Sequence, residues 1–228
     1  MNAKTRFEPV VTKDLYYAVH KGIRLANARM LVALGQADAG DEAGLMEVLA
    51  KLSAHLEICL SHLTHENDRI HAVVEARVPG GSEHQGEDHD HHLEAFDELR
   101  RMAEEVAIAG DDRAVKLRRL YQRFAIFVAD DLAHMHEEET ELMPLIAANF
   151  SAEEIDGIEH SIVSNIPPEK MARFGRFMLG AASRSERVAM VTGMRQAMPV
   201  EAFDGLFTAI MGENWRFGDW ERMEQVLC

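Results

Sequence analysis

Apolar residues recur at intervals of three and four along almost the whole first two thirds of the chain, and no segment alternates as a strand would. The pattern is interrupted at GQADAGDEAG, at Pro79-Gly80-Gly81 and at Gly110-Asp111, each rich in turn-forming residues. Four amphipathic helices with short connections are the recipe for an all-α, antiparallel up-down four-helix bundle.

The first helix is expected over about residues 12–35, with His20, Ile23, Asn27, Met30 and Leu34 on one face. The second starts near Asp41, and its inner row reads Leu45, Leu49, Leu52, His55 or Leu56, Cys59, His62, Glu66, Ile70 and Val73. A polar loop, GSEHQGED, is expected before a third helix carrying Leu93, Phe96, Leu99, Met102 and Val106. The fourth covers about 111–149, with Leu117, Leu120, Phe124, Phe127, Asp131, His134, Glu138 and Leu145 inward and Leu142 alongside. Pro144 inside that pattern predicts a kink or an early stop. Residues 10–149 thus form one bundle domain. Residues 150–228 form an extension of three or four short helices, with capping boxes at Ser151/Glu154 and Ser183/Glu186. Pro168 and Pro199 suit first helical positions, and Trp215, Phe217 and Trp220 are expected to anchor the last helix.

Polar residues stand where these stripes demand core. His62 and Glu66 are flanked by Leu52 and Cys59 on one side and Ile70 and Val73 on the other, and His134 and Glu138 lie between Phe127 and Leu145. A His and a Glu four apart share one helical face. A buried carboxylate must be paired, protonated or bound to a cation, and neither inner row carries Lys or Arg. A metal is the economical solution. Imidazole nitrogen with bridging carboxylate suits iron, manganese or zinc, and two bridging carboxylates describe a dinuclear site. A third His-x-x-x-Glu pair, His71 with Glu75, falls well off the inward row. Further nitrogens are expected from His20 on the first helix and, on the third, from His89 ahead of His92, with His91 projecting away. His55 is expected in a supporting or core role, His65 and His136 at or near the surface, and His84 and His91 in solvent. Glu137, Glu139 and Glu141 read as a solvated face.

HLTHENDRI (62–70), DHDHHLEAFDEL (88–99) and HMHEEETELMPLI (134–146) resemble the hemerythrin-like HHE cation-binding domain, and YAVHKGIR (17–24) resembles its first-helix histidine followed by arginine. The resemblance covers roughly residues 10–148. It implies His20, His62, Glu66, His89, His134 and Glu138 as ligands of two non-haem iron ions, with both glutamates bridging and manganese or zinc as substitutes. Hemerythrins place a second third-helix histidine four residues along, where this chain has Leu93, so His92 or water is expected to complete that shell. The implied function is to bind or sense O2, NO or peroxide. The competing expectations are a di-iron oxidase, peroxidase or NO-reducing enzyme, and an iron-handling or repair protein. Binding is favoured over catalysis because nothing beyond the metal residues looks catalytic.

A net charge of −15 argues against nucleic-acid binding. No stretch is apolar enough to span a membrane, the first residues lack the apolar centre of a signal peptide, and the two cysteines form no framework, so a cytoplasmic location is expected. The C-terminal helices are a candidate surface for a protein partner.

Overall fold

The computed structural model describes residues 13–227, except for the side chains of residues 168 and 169. The expected start of the first helix near residue 12, and Cys228, lie at or beyond the edge of the described residues. All the regular structure among those residues is helical, with no strand. In order they form α1 (Tyr17–Gln36), α2 (Glu42–His65), a π-helical turn (Glu66–His71), α3 (Ala72–Arg77), α4 (Glu83–Ala107), α5 (Arg113–Glu137), a second π-helical turn (Glu138–Leu142) and α6 (Met143–Asn149). Beyond these lie α7 (Ala152–Val163), α8 (Pro168–Ala181), α9 (Arg184–Ala197), α10 (Val200–Met211) and α11 (Trp220–Leu227).

Local chemistry explains most of the boundaries. Asp41 caps α2 by accepting from the Gly44 amide at 3.1 Å. Gly80, at φ +80°, turns the chain after α3, and Glu75 accepts from the Gly80 and Ser82 amides at 2.7 and 2.8 Å. That closure is tight enough for α4 to begin at Glu83, so the segment read from sequence as a polar loop is largely helix, and His84 belongs to α4. Both capping boxes form, Ser151 with Glu154 on α7 and Ser183 with Glu186 on α9. Pro168 opens α8 as expected, whereas Pro199 sits just outside α10 as its cap. The extension holds five described helices, more than expected.

The two π-helical turns are the main departure from the periodic reading. Each inserts one residue into the ladder directly at an inward glutamate, which rotates everything beyond it by about a quarter turn. After Glu66 the buried positions become Ile70, His71 and Val74, and Val73 faces solvent. After Glu138 they become Leu142, Met143, Ile146 and Phe150, with Leu145 half-buried. The second turn also carries the helix past Pro144, which falls in the first turn of α6 where a missing amide costs little. The helix is neither stopped nor lost there.

Helices α1, α2, α4 and α5 close a ring of neighbours: α1 packs on α2 and α5, and α4 packs on α2 and α5. One apolar cluster fills the ring between Leu34, Leu45, Leu52, Phe96, Leu99, Leu120 and Phe124. A second gathers Tyr16, Ile70, Val74, Leu142, Met143 and Ile146 with Phe150, Ile155 and Ile158. A third, built on Phe203, Phe207 and Trp215, holds the C-terminal helices together. Trp215 stacks on Phe207, 5.0 Å between centroids, while Phe217 is more exposed and meets Trp220 edge-on at 5.4 Å. Helix α8 lies along α1, closely enough at Gly22 that a Cβ there would meet the Met178 backbone nitrogen at 3.1 Å. Among the described residues no helix is long and apolar enough to cross a membrane.

Candidate metal centre

Between the first two apolar clusters the inward row turns polar on all four helices at one depth. His20 sits between Tyr16 and Ile23, His62 and Glu66 between Cys59 and Ile70, His89 before Phe96, and His134 and Glu138 between Phe127 and Leu142. His20 and Glu138 are fully buried, and Glu66, His89 and His134 are buried too.

Their facing atoms converge. His20 Nε2 lies 3.6 Å from Glu66 Oε1 and 3.3 Å from Glu138 Oε2. His62 Nε2 lies 3.1 Å from Glu66 Oε1, and His134 Nε2 lies 3.5 Å from Glu138 Oε2. His89 Nε2 reaches both carboxylates, at 3.6 Å from Glu66 Oε2 and 3.8 Å from Glu138 Oε1. Glu66, His89, His134 and Glu138 offer ligand atoms all within 4.8 Å of one another, and His20, His62 and Glu66 form a second such group. Glu66 belongs to both.

The far side of each ring explains why the near side is bare. His20 Nδ1 donates to the Glu139 carboxylate at 3.0 Å, His89 Nδ1 to Asn67 Oδ1 at 2.7 Å and His134 Nδ1 to Asp88 Oδ2 at 3.3 Å. Each partner accepts only, so each Nδ1 carries a proton and Nε2 is the nitrogen left free to present a lone pair to an ion in the site. His89 Nε2 and His134 Nε2 then face each other at 3.0 Å. Two lone pairs at that distance repel unless a proton or a metal ion lies between them.

The remaining polar balance says the same. His20 Nε2, Glu66 Oε1 and both Glu138 carboxylate oxygens are buried without hydrogen-bond partners. Unpartnered buried groups are rare, and so many in one place call for an ion. Burial, with the Glu138 carboxylate beside it, pushes Glu66 up to about 8. Burial among neighbouring imidazoles pushes His62 well down and His89 down to about 2. At neutral pH His62 and His89 are therefore neutral nitrogen donors. His20 goes the other way: burial opposes its charge, but the Glu138, Glu139 and Glu66 carboxylates around it hold its pKa well up, so without a metal a proton on His20 stands in for the cation. The donor set fits a divalent or trivalent metal pair.

Of the residues singled out in the sequence, His20, His62, Glu66, His89, His134 and Glu138 come together. His92 is buried but joins neither group; it lies toward Asp131, with its Nε2 3.8 Å from Asp131 Oδ1. His91 and His136 are exposed and His65 is half-buried. His84, Asp88 and Glu137 form a third, more exposed group, with His84 Nε2 3.0 Å from Glu137.

Three functional neighbours escaped the periodic reading. His71, placed off the inward row by spacing, is turned inward by the π-helical turn; it stacks on His89, 4.8 Å between centroids, with its Nε2 4.0 Å from Glu138 and neither nitrogen hydrogen-bonded. Glu139 is not a solvated residue. It bridges His20 to Arg24, whose guanidinium meets it at 2.6 and 3.1 Å; although burial opposes it, the His20 and Arg24 hydrogen bonds hold its carboxyl down to about 2. Tyr16 is fully buried over His20, and its hydroxyl has no partner. His20, Arg24 and Glu139 all fall in the motif, but Glu139 reads there as part of a solvated face, and nothing in the spacing shows that it joins the other two.

No protein-family model matches the chain, and no curated protein does.

Proposed function

We propose that this chain is a hemerythrin-like protein: an antiparallel up-down four-helix bundle spanning residues 10–149, with a helical extension, that holds two non-haem iron ions and binds or senses O2, NO or peroxide. The observation that carries the reading is the convergence of buried Nε2 and carboxylate oxygen atoms on one space, with His20 Nε2, Glu66 Oε1 and both Glu138 oxygens lacking a hydrogen-bond partner and the Nδ1 atoms of His20, His89 and His134 held on the opposite side. His20, His62 and Glu66 would hold one ion and His89, His134 and Glu138 the other, with Glu66 and Glu138 shared. A ferrous pair bound there supplies an open redox-active position for a small ligand.

The chain's own residues set the conditions. Glu139, Asn67 and Asp88 orient the imidazoles and keep their lone pairs available. The apolar clusters on either side keep bulk water from the carboxylates. A cavity of about 20 Å³ beside the ligands, walled by Ile23, Cys59, Leu63, Phe96 and Met135, restricts access to small ligands of a few atoms.

A second reading, a di-iron oxidase or peroxidase, draws on Tyr16. Its hydroxyl lies buried near the two bridging glutamates, and burial followed by the Glu138 and Glu66 charges pushes its pKa well up, so it stays a hydrogen donor. Metal analysis and the absorption spectrum of the purified protein test both readings. About two irons per chain, lost in the Glu66→Ala/Glu138→Ala double variant, are expected. Iron retained by that variant, or none in the native chain, would sink the proposal. Rapid mixing of the reduced protein with oxygen separates binding, which gives a long-lived adduct, from turnover.

A further inference from the structure

His92 and Asp131 stand outside both ligand groups, yet both line the cavity beside them. Their hydrogen-bonding roles are determined from behind. His92 Nδ1 lies 2.9 Å from the Asp88 carbonyl oxygen, which only accepts, so this nitrogen carries the proton. The other nitrogen, Nε2, is buried and has no partner. The nearest anionic atom is Asp131 Oδ1 at 3.8 Å, beyond hydrogen-bond reach. A buried imidazolium without an anion in contact is costly, so Nε2 is a bare lone pair.

Asp131 is oriented by a chain of its own. Asn27 Nδ2 donates to Asp131 Oδ2 at 2.6 Å, and Asn27 Oδ1 lies 2.7 Å from His55 Nε2, which must donate to it. All three residues are buried, so the amide cannot turn over without breaking both bonds. Asp131 Oδ1 is left facing His92. The cavity therefore presents two acceptors, 3.8 Å apart, and no donor between them.

From this arrangement we propose that the cavity selects a ligand that donates two hydrogen bonds, namely hydrogen peroxide, with His92 Nε2 and Asp131 Oδ1 as its acceptors. Dioxygen and nitric oxide carry no hydrogen and leave both acceptors unmet; water has two but no second oxygen to reach the metals. The inference rests on the metal centre proposed above and narrows its ligand.

Two measurements test it. Nitrogen-15 NMR of the histidine-labelled, metal-free chain reads the His92 tautomer directly: a proton on Nδ1 and a bare Nε2 are expected, and a proton on Nε2 overturns the proposal. Stopped-flow absorbance of the ferric, iron-loaded protein then compares hydrogen peroxide with azide, an anion without hydrogen. His92→Leu is expected to weaken peroxide association about tenfold, the loss of one hydrogen bond, and to leave azide within about twofold. Equal weakening of both, or of neither, overturns it. Asp131→Asn carries the same comparison if His92→Leu fails to fold, with a smaller loss for peroxide alone. A native chain that takes up no iron defeats the metal-centre reading itself, whereas the tautomer measurement on the metal-free chain still decides whether the acceptors are set as described.

Discussion

Replacing Glu139 by Gln should loosen one of the two proposed ions far more than the other. Glu139 takes the His20 Nδ1 proton at 3.0 Å, and the Arg24 clamp fixes where that acceptor lies. His20 Nε2 is thereby held toward Glu66 and Glu138. A hydrogen bond to a charged acceptor contributes about 1.5–3 kcal/mol and a neutral one about 0.5–1.5 kcal/mol. Exchanging carboxylate for amide therefore costs about 1–2 kcal/mol, or about five- to thirtyfold in affinity. Arg24 loses its partner too, but its side chain is 30% exposed and water replaces the carboxylate at little cost. His89 is oriented by Asn67 on the other side of the site, so Asn67→Ala should weaken the second ion instead. The assay is iron release to a graded series of chelators, followed by absorbance. Native protein should release its ions in two closely spaced steps, and Glu139→Gln should move one step to weaker chelators by at least fivefold. Loss of both ions in a single step, or no change, would refute the assignment of Glu139 as the group that orients His20.

His71→Leu should lower affinity for the ion on the His89 side about tenfold, a typical cost for a residue supporting a metal site, with the far-ultraviolet circular dichroism unchanged; unaltered affinity would make His71 a packing residue only. Gly22→Ala should destabilise the chain by about 1–2 kcal/mol in urea, because the new methyl meets the α8 backbone at 3.1 and 3.2 Å, whereas Gly157→Ala, with open space around it, should stabilise by about 0.5–1 kcal/mol. Burial lowers His55 to about 4 in the folded chain, so the unfolded chain takes up a proton first as pH falls. The metal-free protein should thus lose about 3 kcal/mol of stability between pH 6.5 and 4 from this group alone, and His55→Gln should remove that part of the slope in urea titrations at several pH values.

Much of the centre could be read from the chain alone, because a polar residue in an apolar stripe announces itself. His62, Glu66, His134 and Glu138 interrupt rows of Leu, Phe and Ile at matched depth, and helical spacing is a local property that needs no knowledge of the neighbours. The helix boundaries followed where turn chemistry was explicit, as at Gly80 and at the two capping boxes. What spacing could not supply was the extra residue in each π-helical turn. No propensity distinguishes ENDRIH from an ordinary α-helical turn; the added residue is what lets the inward glutamate and the Ile70, His71 and Val74 beyond it be buried together. That single insertion brings in His71 and Val74 and turns Val73 outward. The partners that orient the rings were equally hidden. Glu139 with His20, Asn67 with His89 and Asn27 with Asp131 join residues 22 to 119 positions apart, and only the packed helices decide which of many exposed-looking polar residues lies behind which imidazole.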